Sequence, residues 1–203
     1  GPRLVVHYAG MKHFTGADRF VDSYQEDETT DFHTMVSEMA DIPRKQAKTI
    51  NLGLFYGMGK GKLMSQLGVN LETASELLAS YNERVPFVKQ LMNDTMNKAG
   101  KKGYLSTLEG RRCRFDQWEP TNEWGQKSLP LAEAQQQYGE HMIKRAWTYK
   151  ALNRLIQGSA ADQTKKAMLE LDKEGYLAHI QVHDELDFSV ASDADKIKIK
   201  EII

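Results

Sequence analysis

The 203-residue chain contains one cysteine, Cys113, which excludes an intramolecular disulfide. No grouping of cysteine and histidine has the spacing of a zinc site. No apolar run approaches the length of a membrane-spanning helix, and the N-terminus lacks the basic and apolar regions of a signal peptide. Neither sign of charge prevails: 27 Lys and Arg face 28 Asp and Glu, for a net charge of −1. That balance excludes a wholly basic, histone-like binder and leaves room for a local nucleic-acid surface. Internal repeats and low-complexity tracts are also absent. What remains is an ordinary globular composition, 40% apolar and 27% charged, long enough for one domain or two small subdomains.

Helical signals dominate the first half. Helices are expected at Leu4 to Lys12, Phe32 to Ala40, Arg44 to Tyr56, Leu63 to Leu67, Leu71 to Asn82 and Val85 to Ala99, with Asn70 and Pro86 as start signals. The acidic stretch Asp18 to Asp31 reads as a loop, and the glycines of GMGKGK, Gly57 to Lys62, end the helix before them. After Gly103 an extended pair is expected, with Glu109 and Gly110 in the turn. Asp116 to Leu129 has neither period and reads as a loop whose tryptophans, Trp118 and Trp124, pack locally. Helices follow at Glu133 to Tyr149 and Leu155 to Glu174, then two strands in Ala178 to Val190 joined around His183 and Asp184, and a last helix in KIKIKEII.

Three patterns carry chemistry. Arg44, Lys48, Leu52 and Tyr56 recur at every fourth position, a helical stripe within about 120° and about 18 Å long, which is nucleotide length. Two cations suit a triphosphate, and the aromatic offers a face to a base. Lys98 to Arg114 holds six basic residues against one acid, Glu109, a patch suited to phosphate backbone. Asp184 and Glu185, at the tip of the expected hairpin, are hard oxygen donors suited to Mg²⁺. A P-loop in GMGKGK fails on spacing, because Lys62 is followed by Leu63.

The stripe lies in RKQAKTINLGLFYG, Arg44 to Gly57, which resembles the fingers-helix motif R-x-x-x-K-x-x-x-(aromatic)-G-x-x-Y-G of family A DNA polymerases. DFH (31–33), TLEGRR (107–112), LNRLIQGSAAD (152–162) and QVHDE (181–185) resemble the same family in the same order. The resemblance implies an α+β fold: helical fingers over 1–102, a hairpin and loop insertion over 103–130, and a partial palm over 131–203. It implies a DNA-directed DNA polymerase that adds dNMP from dNTP to a primer 3′-OH using two Mg²⁺ ions, with primer-template DNA as partner, no membrane partner, and an intracellular, cytoplasmic location, the host's if phage-encoded.

Residue by residue, the resemblance makes Asp184 a catalytic metal ligand with Glu185 in support. Arg44 and Lys48 bind triphosphate, Lys48 also protonating the pyrophosphate, and His33 approaches the phosphates. Tyr56 stacks near the templating base, Gly53 and Gly57 admit close approach, and Asn153, Gln157 and His183 read the primer terminus. Arg111 and Arg112 contact backbone phosphate, with Lys144, Arg145, Lys150 and Arg154 as further candidates. Asp162 and Gln163 read as ordinary helix surface. Leu52 departs from the motif's aromatic, so sugar discrimination and rate are expected to differ, and leucine suggests a phage-type member. The family's other catalytic aspartate would lie just upstream of Gly1, so this chain is expected to be a fragment, inactive alone. A non-catalytic nucleotide- or nucleic-acid-binding module stays open as the alternative, and no oligomeric state is specified.

Overall fold

The computed structural model describes residues 1–123 and 125–203. Seven helices come first: α1 (Pro2–Gly10), α2 (Ala17–Glu26), α3 (Phe32–Ala40), α4 (Arg44–Phe55), α5 (Lys60–Leu67), α6 (Leu71–Arg84) and α7 (Pro86–Lys102). Their ends follow local chemistry. The Asp31 carboxylate accepts from the His33 N–H to cap α3, the Asn70 side chain accepts from the Thr73 N–H at 2.8 Å to cap α6, and Pro86 opens α7. Phe20, Phe32 and Phe87 meet with ring centroids 5.0 to 6.4 Å apart, and Phe55 lies 5.8 Å from Phe32, so α2, α3, α4 and α7 share one aromatic centre.

The second half is mixed. Strands β1 (Tyr104–Ser106) and β2 (Arg112–Arg114) pair antiparallel, with Leu105 opposite Cys113. Strands β3 (Gln117–Pro120), β4 (Leu129–Pro130) and β5 (Ile143–Arg145) form a three-stranded sheet in the order β4-β3-β5, beside α8 (Leu131–Tyr138). A 3₁₀ turn, Thr148–Lys150, leads into α9 (Ala151–Lys173), whose Leu152, Leu155 and Ile156 join the same core as the first seven helices. Strands β6 (Ile180–Val182) and β7 (Glu185–Asp187) form a hairpin, and α10 (Asp193–Ile202) closes the described chain. The fold class is α+β, and no described helix is long and apolar enough to cross a membrane.

Several expectations are corrected. The acidic stretch Asp18 to Asp31 is mostly helix α2, because Ala17, Phe20, Val21 and Tyr24 recur at helical spacing and turn inward despite the acids between them. Asp116 to Leu129 contributes β3 to a sheet, and the helix expected over Glu133 to Tyr149 stops at Tyr138, where Gly139 at φ 91° turns the chain toward β5. Helix α5 starts within the glycine run, at Lys60, and α9 starts at Ala151. The packing of Trp118 with Trp124 lies outside the described residues; Trp118 carries the Arg145 guanidinium 4.5 Å from its ring centroid. The flanks of His183 and Asp184 form a hairpin, but Ile180 and Val182 are 57% and 51% exposed, since nothing among the described residues covers that face.

Candidate nucleotide and nucleic-acid site

The α4 stripe is as exposed as its period suggests. Arg44, Lys48 and Tyr56 face solvent and Leu52 is half-buried, while Ala47, Ile50, Asn51 and Phe55 turn into the core. Tyr56 is the residue that ends the helix, and its hydroxyl accepts from Gln157 Nε2 at 3.1 Å, tying α4 to α9. Gly57 follows at φ 66°, where a Cβ would stand 2.7 Å from the Tyr149 carbonyl oxygen. Gly53 faces Leu63 and Met58 at 3.3 and 3.4 Å. At both glycines an added Cβ would already meet atoms of this chain.

At the cationic end, Arg44 is held in place. Its Nε and Nη2 each lie 2.7 Å from Asp31 Oδ2, and Nε is also 3.1 Å from Thr34 Oγ1. Burial pushes the Asp31 carboxyl up, but hydrogen bonds from Thr34, Arg44 and the His33 N–H outweigh it and hold the group down at about 2. His33 is half-buried beside them. Burial lowers its imidazole, Arg44, Lys48 and the N-terminal amine lower it further, and Asp31 opposes. His33 Nδ1 lies 2.9 Å from Asn51 Nδ2, and Tyr81 Oη donates to Asn51 Oδ1 at 2.5 Å. Sequence reasoning missed Asn51 and Tyr81. Asn51 alone carried a signal, an amide on the inward face of an otherwise apolar helix side.

The β1–β2 hairpin is braced against α9. Arg111 Nε lies 2.7 Å from Asp162 Oδ1 and its Nη2 donates to the Gly158 carbonyl at 3.0 Å, so the residue expected on backbone phosphate is occupied within the fold. Asp162 is only 7% exposed, which corrects its reading as helix surface; burial raises its carboxyl, and Thr107 and Arg111 more than offset that. Arg112 is exposed, with its guanidinium 4.7 Å from the Tyr104 ring centroid. Arg154 donates to the Arg114 carbonyl and Arg145 to the Phe115 carbonyl, which ties both into the sheet region. Asn153 is half-buried and Gln157 exposed, one turn apart on α9.

His183 sits at φ 54° in the β6–β7 turn, and its carbonyl accepts from Gln181 Nε2 at 2.6 Å. Asp184 and Glu185 are exposed and make no ion pair among the described residues. Asp184 lies near the chain start: burial lowers the Gly1 amine, and the Asp184 carboxylate opposes that effect. No group of three or more His, Cys, Asp or Glu able to hold a metal occurs among the described residues. The donors at this turn have the right chemistry for Mg²⁺, but they form an incomplete set. The structure brings Arg44 and Lys48 near His33 and joins Tyr56 to Gln157, and the Gly1 amine lies within electrostatic reach of both His33 and Asp184.

The model of the family described as DNA polymerase family A matches residues 9–203. The chain belongs to that family. Among its relatives, the DNA-directed DNA polymerase of Pseudomonas phage M6 is 36% identical, over 93% of this chain and 31% of the relative. The thermostable DNA polymerase I of Thermus aquaticus is 31% identical, over 87% of this chain and 20% of the relative. The POL domain of Pol1 from M. smegmatis, solved in complex with DNA primer-template and dNTP, superposes with a TM-score of 0.63 at 30% identity, over 85% of this chain and 30% of that one. This family A chain thus spans a third or less of the length of these relatives.

Proposed function

We propose that this chain is the fingers and part of the palm of a DNA-directed DNA polymerase that extends a primer from dNTPs. The primer 3′-hydroxyl gives its proton to solvent as its oxygen attacks the α-phosphorus, the bond to pyrophosphate breaks, and Lys48 gives the leaving group a proton. The observation that carries this reading is the exposed α4 face, with Arg44 and Lys48 beside His33 at one end and Tyr56 joined to α9 at the other. Arg44 and Lys48 hold the triphosphate, Leu52 packs against the sugar without a hydrogen bond or ring to offer it, and Tyr56 meets the template. Arg112, Asn153, Gln157 and His183 contact primer-template, and Arg111 contributes mainly by fixing the hairpin they flank.

Asp184, supported by Glu185, is the metal ligand this chain supplies. Two Mg²⁺ ions, when bound, would activate the 3′-hydroxyl and neutralise charge on the phosphates. The identity to a phage polymerase supports a phage-type protein working in the cytoplasm of a bacterial host.

Steady-state extension by a protein lengthened upstream through the aspartate motif separates the roles on α4. Arg44→Ala is expected to raise the dNTP KM about tenfold or more, by loss of charge-assisted hydrogen bonds, whereas Lys48→Ala chiefly lowers kcat. Equal effects of both variants on KM alone would remove the acid role from Lys48.

A further inference from the structure

The buried chain of hydrogen bonds behind His33 has a direction. Tyr81 is wholly buried, and Asn51 Oδ1 is the one acceptor its hydroxyl finds among the described residues. Asn51 is equally buried, so its amide cannot turn to water. With Oδ1 committed to Tyr81, the amide presents N–H to His33 Nδ1 at 2.9 Å, and an N–H can meet only a lone pair there. Reversing the amide would leave the Tyr81 O–H without an acceptor inside a closed core, which folded proteins avoid. Nδ1 is therefore the bare nitrogen, and in a neutral ring the hydrogen sits on Nε2.

We infer that Asn51 and Tyr81 are positioning residues for His33: they lock its imidazole in the Nε2–H tautomer, so that the ring offers one fixed donor to an anionic ligand. The triphosphate is that ligand if the proposed function holds; the tautomer itself does not rest on that reading. The relay also resists protonation, because a hydrogen on Nδ1 would face the amide N–H. Arg44 and Lys48 on α4 and the amine at the head of α1 act in the same direction, and Asp31 before α3 against it. The neutral, directional donor form of His33 is thus favoured near Arg44 and Lys48. Its partners come from α4 and α6, which makes the donor depend on how those helices pack.

Nitrogen-15 NMR of histidine-labelled protein, without nucleotide, reads the tautomer directly, and His33→Gln identifies the relevant signal among the six histidines. The unaltered chain is expected to show Nε2–H. Asn51→Asp puts a carboxylate oxygen against Nδ1 and is expected to move the hydrogen to Nδ1 and raise the titration midpoint by about one unit. Tyr81→Phe frees the amide and is expected to populate both tautomers. An Nδ1–H ring in the unaltered chain overturns the inference, and so does a tautomer indifferent to both substitutions. The first of these readings needs only the assignment variant His33→Gln to fold, and leaves Asn51 and Tyr81 untouched. In the lengthened polymerase, Tyr81→Phe is expected to raise the dNTP KM severalfold with kcat changed less than twofold. If the tautomer responds as stated and KM does not, the triphosphate role of His33 falls while the relay stands.

Discussion

At the scale of single residues, Asp31 shows how one carboxylate can serve two elements. It caps α3 through the His33 N–H and holds the Arg44 guanidinium at the start of α4. Its folded pKa of about 2 lies below the ordinary value of 3.8, so its contribution to stability is fully present above about pH 4 and disappears as pH falls toward 2. The side chain is 37% exposed and its partner 55%, so solvent screens the pair and the effect is modest. Asp31→Asn retains an oxygen for the cap but no charge. Urea denaturation is expected to show a shallower loss of stability between pH 4 and pH 2 in that variant than in the unaltered chain. Parallel losses in the two would mean that other carboxylates carry the acid sensitivity.

At the scale of elements, α4 was legible in advance and its partners were not. A stripe repeating every fourth residue declares both its helix and its outward face, because side-chain direction follows from local geometry. The contacts of Asn51 with His33 and Tyr81 join residues 18 and 30 positions away, and no periodicity records such pairs. Helix α2 was hidden by acids on its outer face, although Ala17, Phe20, Val21 and Tyr24 had the spacing of an inner one. Strand β5 was hidden by a helical composition that Gly139 interrupts.

The β1–β2 hairpin was visible from its turn, but its anchorage to α9 through Arg111 and Asp162 was not. That anchorage is testable: Arg111→Ala leaves a carboxylate only 7% exposed without its cation and is expected to cost about 1–3 kcal/mol in chemical denaturation. An unchanged midpoint would show that Asp162 finds another partner.

For the whole molecule, one apolar core joins α1 to α7, β1 and α9; it takes in residues of α4 and, among the described residues, none of the β6–β7 hairpin. The α4 face is backed by buried Ile50 and Phe55 and tied to α9, so its cations project from a firm base. The β6–β7 hairpin has Ile180 and Val182 open to solvent and, among the described residues, makes its ladder only with itself. Asp184 stands at its turn, close to Gly1. The nucleotide-binding half of the proposed site is thus assembled within this chain, whereas the metal-binding half offers too few ligands among the described residues.

The most direct measurement is primer extension with Mg²⁺ and dNTPs, comparing this chain, a version lengthened upstream through the aspartate motif, and Asp184→Ala in each. The account predicts extension by the longer protein alone, abolished by Asp184→Ala. A longer protein that binds primer-template and never extends it, or one that extends equally well without Asp184, would contradict it.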